Sequence, residues 1–162
     1  MKTLLLLRHA KSSWKDPELA DFDRPLNQRG RKAAEAMGKY IAKQQIEFDL
    51  VISSPAVRAR QTIERVLRAA KLAPELRFDQ RIYEASLLRL LEVIAEFEDD
   101  SKSVLLVGHN PGIEELASAL SGQDGHMPTA ALVRIRFNVK RWEKLAEKNG
   151  ELDLFVKARD LE

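Results

Sequence analysis

Four consecutive leucines at residues 4–7 and the run Val104-Leu105-Leu106-Val107 constrain the fold of this chain more than any other feature. Successive side chains of a strand point to opposite faces of a sheet, so a strand without polar residues must be covered on both faces. That is the situation of central strands in a parallel sheet with helices on either side. Runs at residues 49–53 and 131–137 join those at 3–7 and 103–107 as predicted strands, and the intervals carry helical periodicity. The expected class is α/β, and 162 residues suffice for one domain, 1–162, with a full core of its own.

Local signals fill in the connections. Asn27 is placed to cap a helix over 28–45, in which Ala33, Met37 and Ile41 recur every four residues. Ser54 and Pro55 read as the cap and first residue of a second helix with the stripe Ile63, Val66, Leu67 and Ala70. Ser86 opens a third helix carrying Leu87, Leu90, Leu91 and Ile94, and Asn110-Pro111 repeats the cap-plus-proline pattern for a fourth. Residues 151–158 alternate weakly and are expected to form an edge strand. Residues 10–25, with Asp16-Pro17 and Arg24-Pro25, show no period and read as a loop long enough to be functional.

Composition narrows the chemistry. With no Cys, and with His only at positions 9, 109 and 126, disulfides, thiol nucleophiles and a structural zinc site are excluded. Catalysis must come from His, carboxylates, hydroxyls or Arg, and no metal or cofactor is expected. The longest apolar run falls far short of the ~20 residues of a membrane span and no signal-peptide core follows Lys2, so a cytoplasmic protein without a membrane partner is expected. Basic clusters occur at Arg58, Arg60, Arg65, Arg68 and Lys71, and at Arg134, Arg136, Lys140, Arg141, Lys144 and Lys148. Glu64, Glu143 and Glu147 interrupt them, and 27 Lys+Arg against 25 Asp+Glu leave a net charge of only +2. These are solvated faces, and no nucleic-acid partner is expected.

Three segments share one grammar, an apolar strand running directly into polar residues: LLLLRHA, VISSPAVRARQT and VLLVGHNPG. Ligands of open α/β sheets collect beyond the carboxyl ends of parallel strands, so Arg8, His9, Ser54, Arg58 and His109 could meet in one crevice. Two arginines and two histidines there form an anion pocket. The guanidinium fork matches the oxygens of a phosphoryl group, which makes phosphate the natural ligand.

On these residues the chain resembles the histidine phosphatase, or phosphoglycerate-mutase-like, superfamily. Arg8-His9-Ala10 corresponds to the family's Arg-His-Gly motif, and the block 53–62 and Gly108-His109-Asn110-Pro111 follow in the family's order. The short chain and the GHNP form resemble the SixA-like phosphohistidine phosphatases. The resemblance implies a three-layer fold with a mainly parallel central sheet and helices on both faces. It implies His9 as nucleophile, forming a phosphohistidine intermediate that water hydrolyses, with Arg8, Arg58 and His109 meeting the phosphoryl charge. Ser12 and Asn110 are further implied substrate contacts. Glu84 is the implied general acid, with Asp16, Asp21 and Asp23 as rivals.

The implied partner is a phosphorylated protein such as a histidine-containing phosphorelay domain, and the expected oligomeric state is a monomer or weak dimer. Alternatives are a small phosphate ester as substrate, or a non-catalytic phosphate-binding module. Ala10 replaces the motif glycine, which would strain a backbone of positive φ. Ser12 and Trp14 match a family segment in which Lys15 takes the place of Asn. Lys11 and Lys15 read as solvated, with attraction of an acidic substrate surface as the alternative. Gln61 and Thr62 are expected to serve packing or local hydrogen bonds, Tyr83 and Trp142 to be core or rim residues, and His126 to be exposed and silent.

Overall fold

The computed structural model describes residues 1–147 and 150–161. Lys148 of the second basic cluster lies outside the described residues. The strands are β1 (Lys2–Arg8), β2 (Leu50–Ser53), β3 (Glu75–Phe78), β4 (Ser103–Gly108), β5 (Leu132–Phe137) and β6 (Glu151–Val156). They form one sheet in the order β3-β2-β4-β1-β5-β6. β3, β2, β4 and β1 run parallel, whereas β5 and β6 are antiparallel additions at one side. The helices are α1 (Gln28–Lys43), α2 (Val57–Ala70), α3 (Leu87–Ala95) and α4 (Gly112–Ser121).

The leucine run of β1 does what its pattern requires. Leu4 and Leu6 enter a core shared with Leu90, Val93 and Ile94 of α3 and Ile113 and Leu116 of α4. Leu5 and Leu7 enter a second core on the opposite face, with Met37 and Ile41 of α1 and Ile63 and Val66 of α2. β4 divides likewise, Val104 and Leu106 to one side and Leu105 and Val107 to the other. The result is the expected three-layer α/β fold, a mainly parallel sheet between two pairs of helices. Trp142 is core: its indole donates to the Ser101 carbonyl at 2.8 Å and its ring packs edge-on against Phe97.

Two predicted caps are corrected. The second helix starts at Val57 with Ala56 as its cap, because Ser54 still belongs to the sheet, its N–H donating to the Val107 carbonyl at 3.0 Å. The fourth starts at Gly112 with Pro111 as its cap, and the Asn110 side chain donates instead to Glu114 and to the Met127 carbonyl. Asn27 and Ser86 do cap α1 and α3, accepting from Gly30 at 2.8 Å and from Arg89 at 3.2 Å. The edge strand β6 is present as expected. β3 was not anticipated: it is a four-residue outer strand with three exposed side chains, and leaves no alternation to read.

The long loop is pinned. Ser13 N–H donates to Pro25 O at 2.7 Å and Asn27 N–H to Lys11 O at 3.0 Å, folding the segment back on itself. Buried Arg24 stacks 3.8 Å above the exposed Trp14 ring and donates to the Asp16 carbonyl at 3.0 Å. Gly30 sits so close beneath Lys11 that any Cβ would overlap the Lys11 carbonyl.

Gly38 sets the approach of α1 to α2, since a Cβ there would lie 2.5 Å from the Val66 carbonyl and 2.6 Å from the Ala69 Cβ. Gly38→Ala is therefore expected to lower the free energy of unfolding by about 1–3 kcal/mol, read by urea titration. Gly125→Ala, whose Cβ meets only the Phe155 ring at 3.6 Å, serves as the near-neutral control.

Candidate active site

Parallel register brings the three motifs together. Arg8 pairs with Gly108, and Val107 pairs with both Leu7 and Ser53, so β1, β2 and β4 end almost flush. The residues that follow, His9, Ser54 and His109, emerge side by side. His9 N–H continues the ladder to the Gly108 carbonyl at 3.1 Å. The ring centroids of His9 and His109 are 5.0 Å apart. Arg58, in the first turn of α2, completes the group; it, His9 and His109 are all buried.

The orientation of His9 is fixed. Its Nδ1 lies 2.7 Å from the Ala10 carbonyl, which can only accept, so Nδ1 carries the proton and Nε2 the lone pair. Arg58 Nε donates to that Nε2 over a long 3.4 Å. Thr62, one turn after Arg58, accepts from the Ala10 N–H at 2.9 Å and donates to the Arg58 carbonyl at 2.7 Å, linking loop to helix. Ala10 is fully buried and is not among the residues of positive φ, so its methyl in place of the motif glycine brings no backbone strain. Positive φ occurs nearby at Ala130 instead, whose N–H donates to the carbonyls of Arg8 at 3.0 Å and His9 at 3.1 Å.

Arg58 is held by a carboxylate from the long loop. Its terminal nitrogens donate to the Asp21 carbonyl at 2.7 Å and to Asp21 Oδ2 at 3.0 Å. The Tyr83 hydroxyl donates to the same Oδ2 at 2.7 Å, and its ring stands edge-on to His109 at 5.5 Å. The Tyr83 hydrogen bond and the Arg58 guanidinium hold the Asp21 carboxyl below its ordinary range, so it is ionised at neutral pH. Burial, reinforced by the Asp21 charge, pushes the Tyr83 phenol up to about 12. Of Asp16, Asp21 and Asp23, Asp21 is the one in contact with Arg58. Glu84 is exposed, has φ 54°, and makes no hydrogen bond to Arg8, His9, Arg58 or His109.

The remaining candidates take varied places. Arg8 donates to the Met127 carbonyl at 3.0 Å, the acceptor that Asn110 also uses. Glu114 ties this corner by accepting from Asn110, Met127 N–H and His126, the last at 2.9 Å from an exposed ring. Burial lowers the Arg8 guanidinium from its ordinary value, with Glu114 opposing and Arg58 adding to the shift. Ser54 Oγ shares a 2.7 Å hydrogen bond with His109 Nε2, a role the cap signal concealed. Ser12 pairs with Leu26 in an isolated bridge, and its carbonyl accepts from Asn27. Lys15 is exposed. Among the described residues no three His, Asp or Glu side chains converge to ligate a metal ion.

Tyr83, expected at the core or rim, bonds Asp21 across 62 residues of chain, a pairing that leaves no sequence signal. Arg8 Nε, His109 Nδ1 and Asn110 Oδ1 are buried without a hydrogen-bond partner among the described residues, so polar capacity concentrates at this corner of the sheet. Two cationic guanidinium groups, two neutral imidazoles and one carboxylate can bind a dianionic phosphoryl group and offer it a nitrogen nucleophile.

Comparison with known proteins bears on this arrangement. Residues 4–90 match the family model described as histidine phosphatase superfamily (branch 1). The uncharacterized protein Rv1276c of Mycobacterium tuberculosis is 34% identical over 134 residues, spanning 83% of this chain and 80% of its own. The crystal structure of the candidate phosphohistidine phosphatase SixA from Agrobacterium tumefaciens superposes with a TM-score of 0.83 at 31% identity, covering 96% of this chain and 97% of that one. The protein histidine phosphatase SixA complexed with tungstate shares the fold, with a TM-score of 0.81 at 22% identity over 99% of each chain.

Burial lowers the His9 imidazole to about 4 and His109 to about 3; Arg58 and Arg8 add to both shifts, and His9 adds to that of His109. Both rings should stay neutral well below the ordinary histidine value of about 6.5, and protonation of either should delay the other. Because the folded values are depressed, the unfolded chain binds protons first, and stability is lost as pH falls from about 6.5 through 4. NMR titration of the imidazole carbons checks this: two histidine signals should remain in the neutral form at pH 5.

Proposed function

The chain belongs to the histidine phosphatase superfamily and is a phosphatase, and from that premise we propose that it hydrolyses phosphohistidine on a protein, with His9 as the group that accepts the phosphoryl. Neutral His9 offers its Nε2 lone pair to phosphorus. The new Nε2–P bond forms as the bond from phosphorus to the substrate imidazole nitrogen breaks, and the departing ring leaves with a proton. Phosphorylation makes the His9 ring cationic, and the Nδ1–H to Ala10 carbonyl bond at 2.7 Å favours that charge. Water then attacks phosphorus, releasing inorganic phosphate and neutral His9.

Arg8 and Arg58 meet the three phosphoryl oxygens, whose charge is spread in a loose transition state. The long Arg58 Nε contact to His9 is one that an entering phosphoryl oxygen would take over. His109, neutral and tied to Ser54, adds a polar edge to the same pocket.

The observation that carries the substrate assignment is the state of Asp21. It is the carboxylate in contact with this cluster, and the Tyr83 hydroxyl and Arg58 keep it ionised. An ionised carboxylate has no proton for an alkoxide, which leaves poorly without one. An imidazole titrates near 6.5 and can acquire its proton from solvent, so the P–N bond makes the smaller demand on the site. The exposed position of Glu84 supports the same reading.

Phosphate release measured in chelator from a phosphohistidine-carrying protein domain, an aryl phosphate and a sugar-phosphate panel tests the proposal. Strong preference for phosphohistidine is expected, and His9→Ala should reduce turnover by about 10³-fold or more with the fold intact. Arg8→Ala should cost on the order of 10²- to 10³-fold. Preference for the monoesters would overturn the substrate assignment and direct attention to Glu84. Undiminished turnover by folded His9→Ala would remove His9 as nucleophile. Phosphate binding by the wild type without turnover of any substrate would leave a binding module.

A further inference from the structure

Most basic residues in the strand and helix clusters are matched. Arg134 and Arg136 share Asp153 at 2.7 and 2.6 Å, Arg65 pairs with Glu35 at 2.9 Å, Arg81 is held by Asp79 and Glu96, and Arg60 lies over the Phe78 ring. One cleft gathers three cations that are not matched. A cavity of about 190 Å³ is walled by Lys11, Arg29, Ala33, Pro128, Thr129 and Ala158, with Arg159 at its edge. Among the described residues its three cations form no ion pair or side-chain hydrogen bond, and no carboxylate lines it.

The backbone fixes where these cations are rooted. The Lys11 carbonyl accepts from Asn27, and Gly30 lies against the Lys11 backbone. Arg29 is in the first turn of α1, which holds no acidic residue. Arg159 rides on the 3-10 turn Ala158–Asp160, whose Ala158 is buried in the core beside α1. The flank of α1 that carries Arg29 and Ala33 therefore faces a cleft lined by like charges, an arrangement that is unfavourable until an anion enters.

The cleft adjoins the candidate active site. Lys11 is two residues from His9, so their Cα atoms are at most about 8 Å apart. Thr129 precedes Ala130, whose N–H donates to the His9 carbonyl, and Pro128 follows Met127, whose carbonyl accepts from Arg8. We propose that Lys11, Arg29 and Arg159 form a docking cleft for carboxylate side chains on the protein that bears the phosphohistidine. Acidic residues flanking the phosphorylated ring enter it while the phosphoryl group meets Arg8 and Arg58. The proposal rests on the phosphohistidine reading above, and its charge complementarity governs encounter with the protein substrate more than chemistry on phosphorus.

The test compares wild type with the charge-reversal variant Lys11→Glu/Arg29→Glu/Arg159→Glu on two substrates with a P–N bond. One is an acidic protein domain carrying phosphohistidine; the other is phosphoramidate, which has no protein surface. For the domain, kcat/KM should fall about 10-fold or more at low salt, mainly through KM, and the steep salt dependence of the wild type should flatten. Phosphoramidate turnover should be unchanged, which also reports the fold. Domain turnover by the variant within twofold of wild type would overturn the cleft assignment. A sugar bisphosphate is assayed alongside as a control, and loss confined to it would overturn the assignment too, giving the cleft to a second phosphate. Failure of the phosphohistidine reading shows separately, as absence of turnover of the domain by the wild type itself, and would take this proposal with it.

Discussion

The register between β1, β2 and β4 is the constraint on which the rest depends. Because Val107 faces Leu7 on one side and Ser53 on the other, three strands stop at one level and deliver His9, Ser54 and His109 to a common edge. A slip of one residue would reverse the facing of every side chain in a strand that is apolar on both faces. The two cores would tolerate that poorly, since Leu4 and Leu6 on one side and Leu5 and Leu7 on the other are fully buried. The packing that stabilises the fold is thus the same packing that aligns the polar edge.

Legibility in the sequence follows from this arrangement. Residues immediately after a buried strand inherit their position from it, so Arg8, His9 and His109 could be read from the apolar runs alone, and Arg58 from its place in the next turn. The contacts made by irregular chain could not, and Asp21 is legible only as one of several loop carboxylates, not as the partner of Arg58. Asp21 comes from a loop shaped by Arg24 over Trp14 and by backbone bonds to Pro25 and Lys11, none of which leaves a period. Ser54 misled because Ser-Pro before a helical pattern is a good cap signal, yet its N–H still belongs to the sheet and its hydroxyl to His109. β3 was silent because an outer strand with exposed side chains needs no hydrophobic alternation.

Electrostatics at the edge are set by burial. His9 and His109 are buried beside two arginines, and a cationic imidazole there would lose hydration while gaining repulsion. The rings stay neutral, which preserves a lone pair for His9. The same neighbourhood has the opposite effect on Asp21, whose charge is favoured by Arg58 and by the Tyr83 hydroxyl. One set of contacts therefore keeps Nε2 of the proposed nucleophile unprotonated and denies the nearby carboxyl a proton. A pocket arranged in this way is suited to a leaving group that brings its own basicity.

Charge is distributed unevenly over the surface. Several surface cations are given a carboxylate partner, as Asp153 serves two arginines of β5. Those around the cleft beside His9 are given none, although exposed Asp160 is adjacent to Arg159 in sequence. Local pairing there would have neutralised the field that an acidic protein meets on approach, and long-range attraction depends on charges left unmatched at contact distance. The net charge of only +2 makes position decisive. With so little overall excess, any preference for an anionic macromolecule must come from where the unmatched cations stand, and three of them line a cleft two residues along the chain from His9.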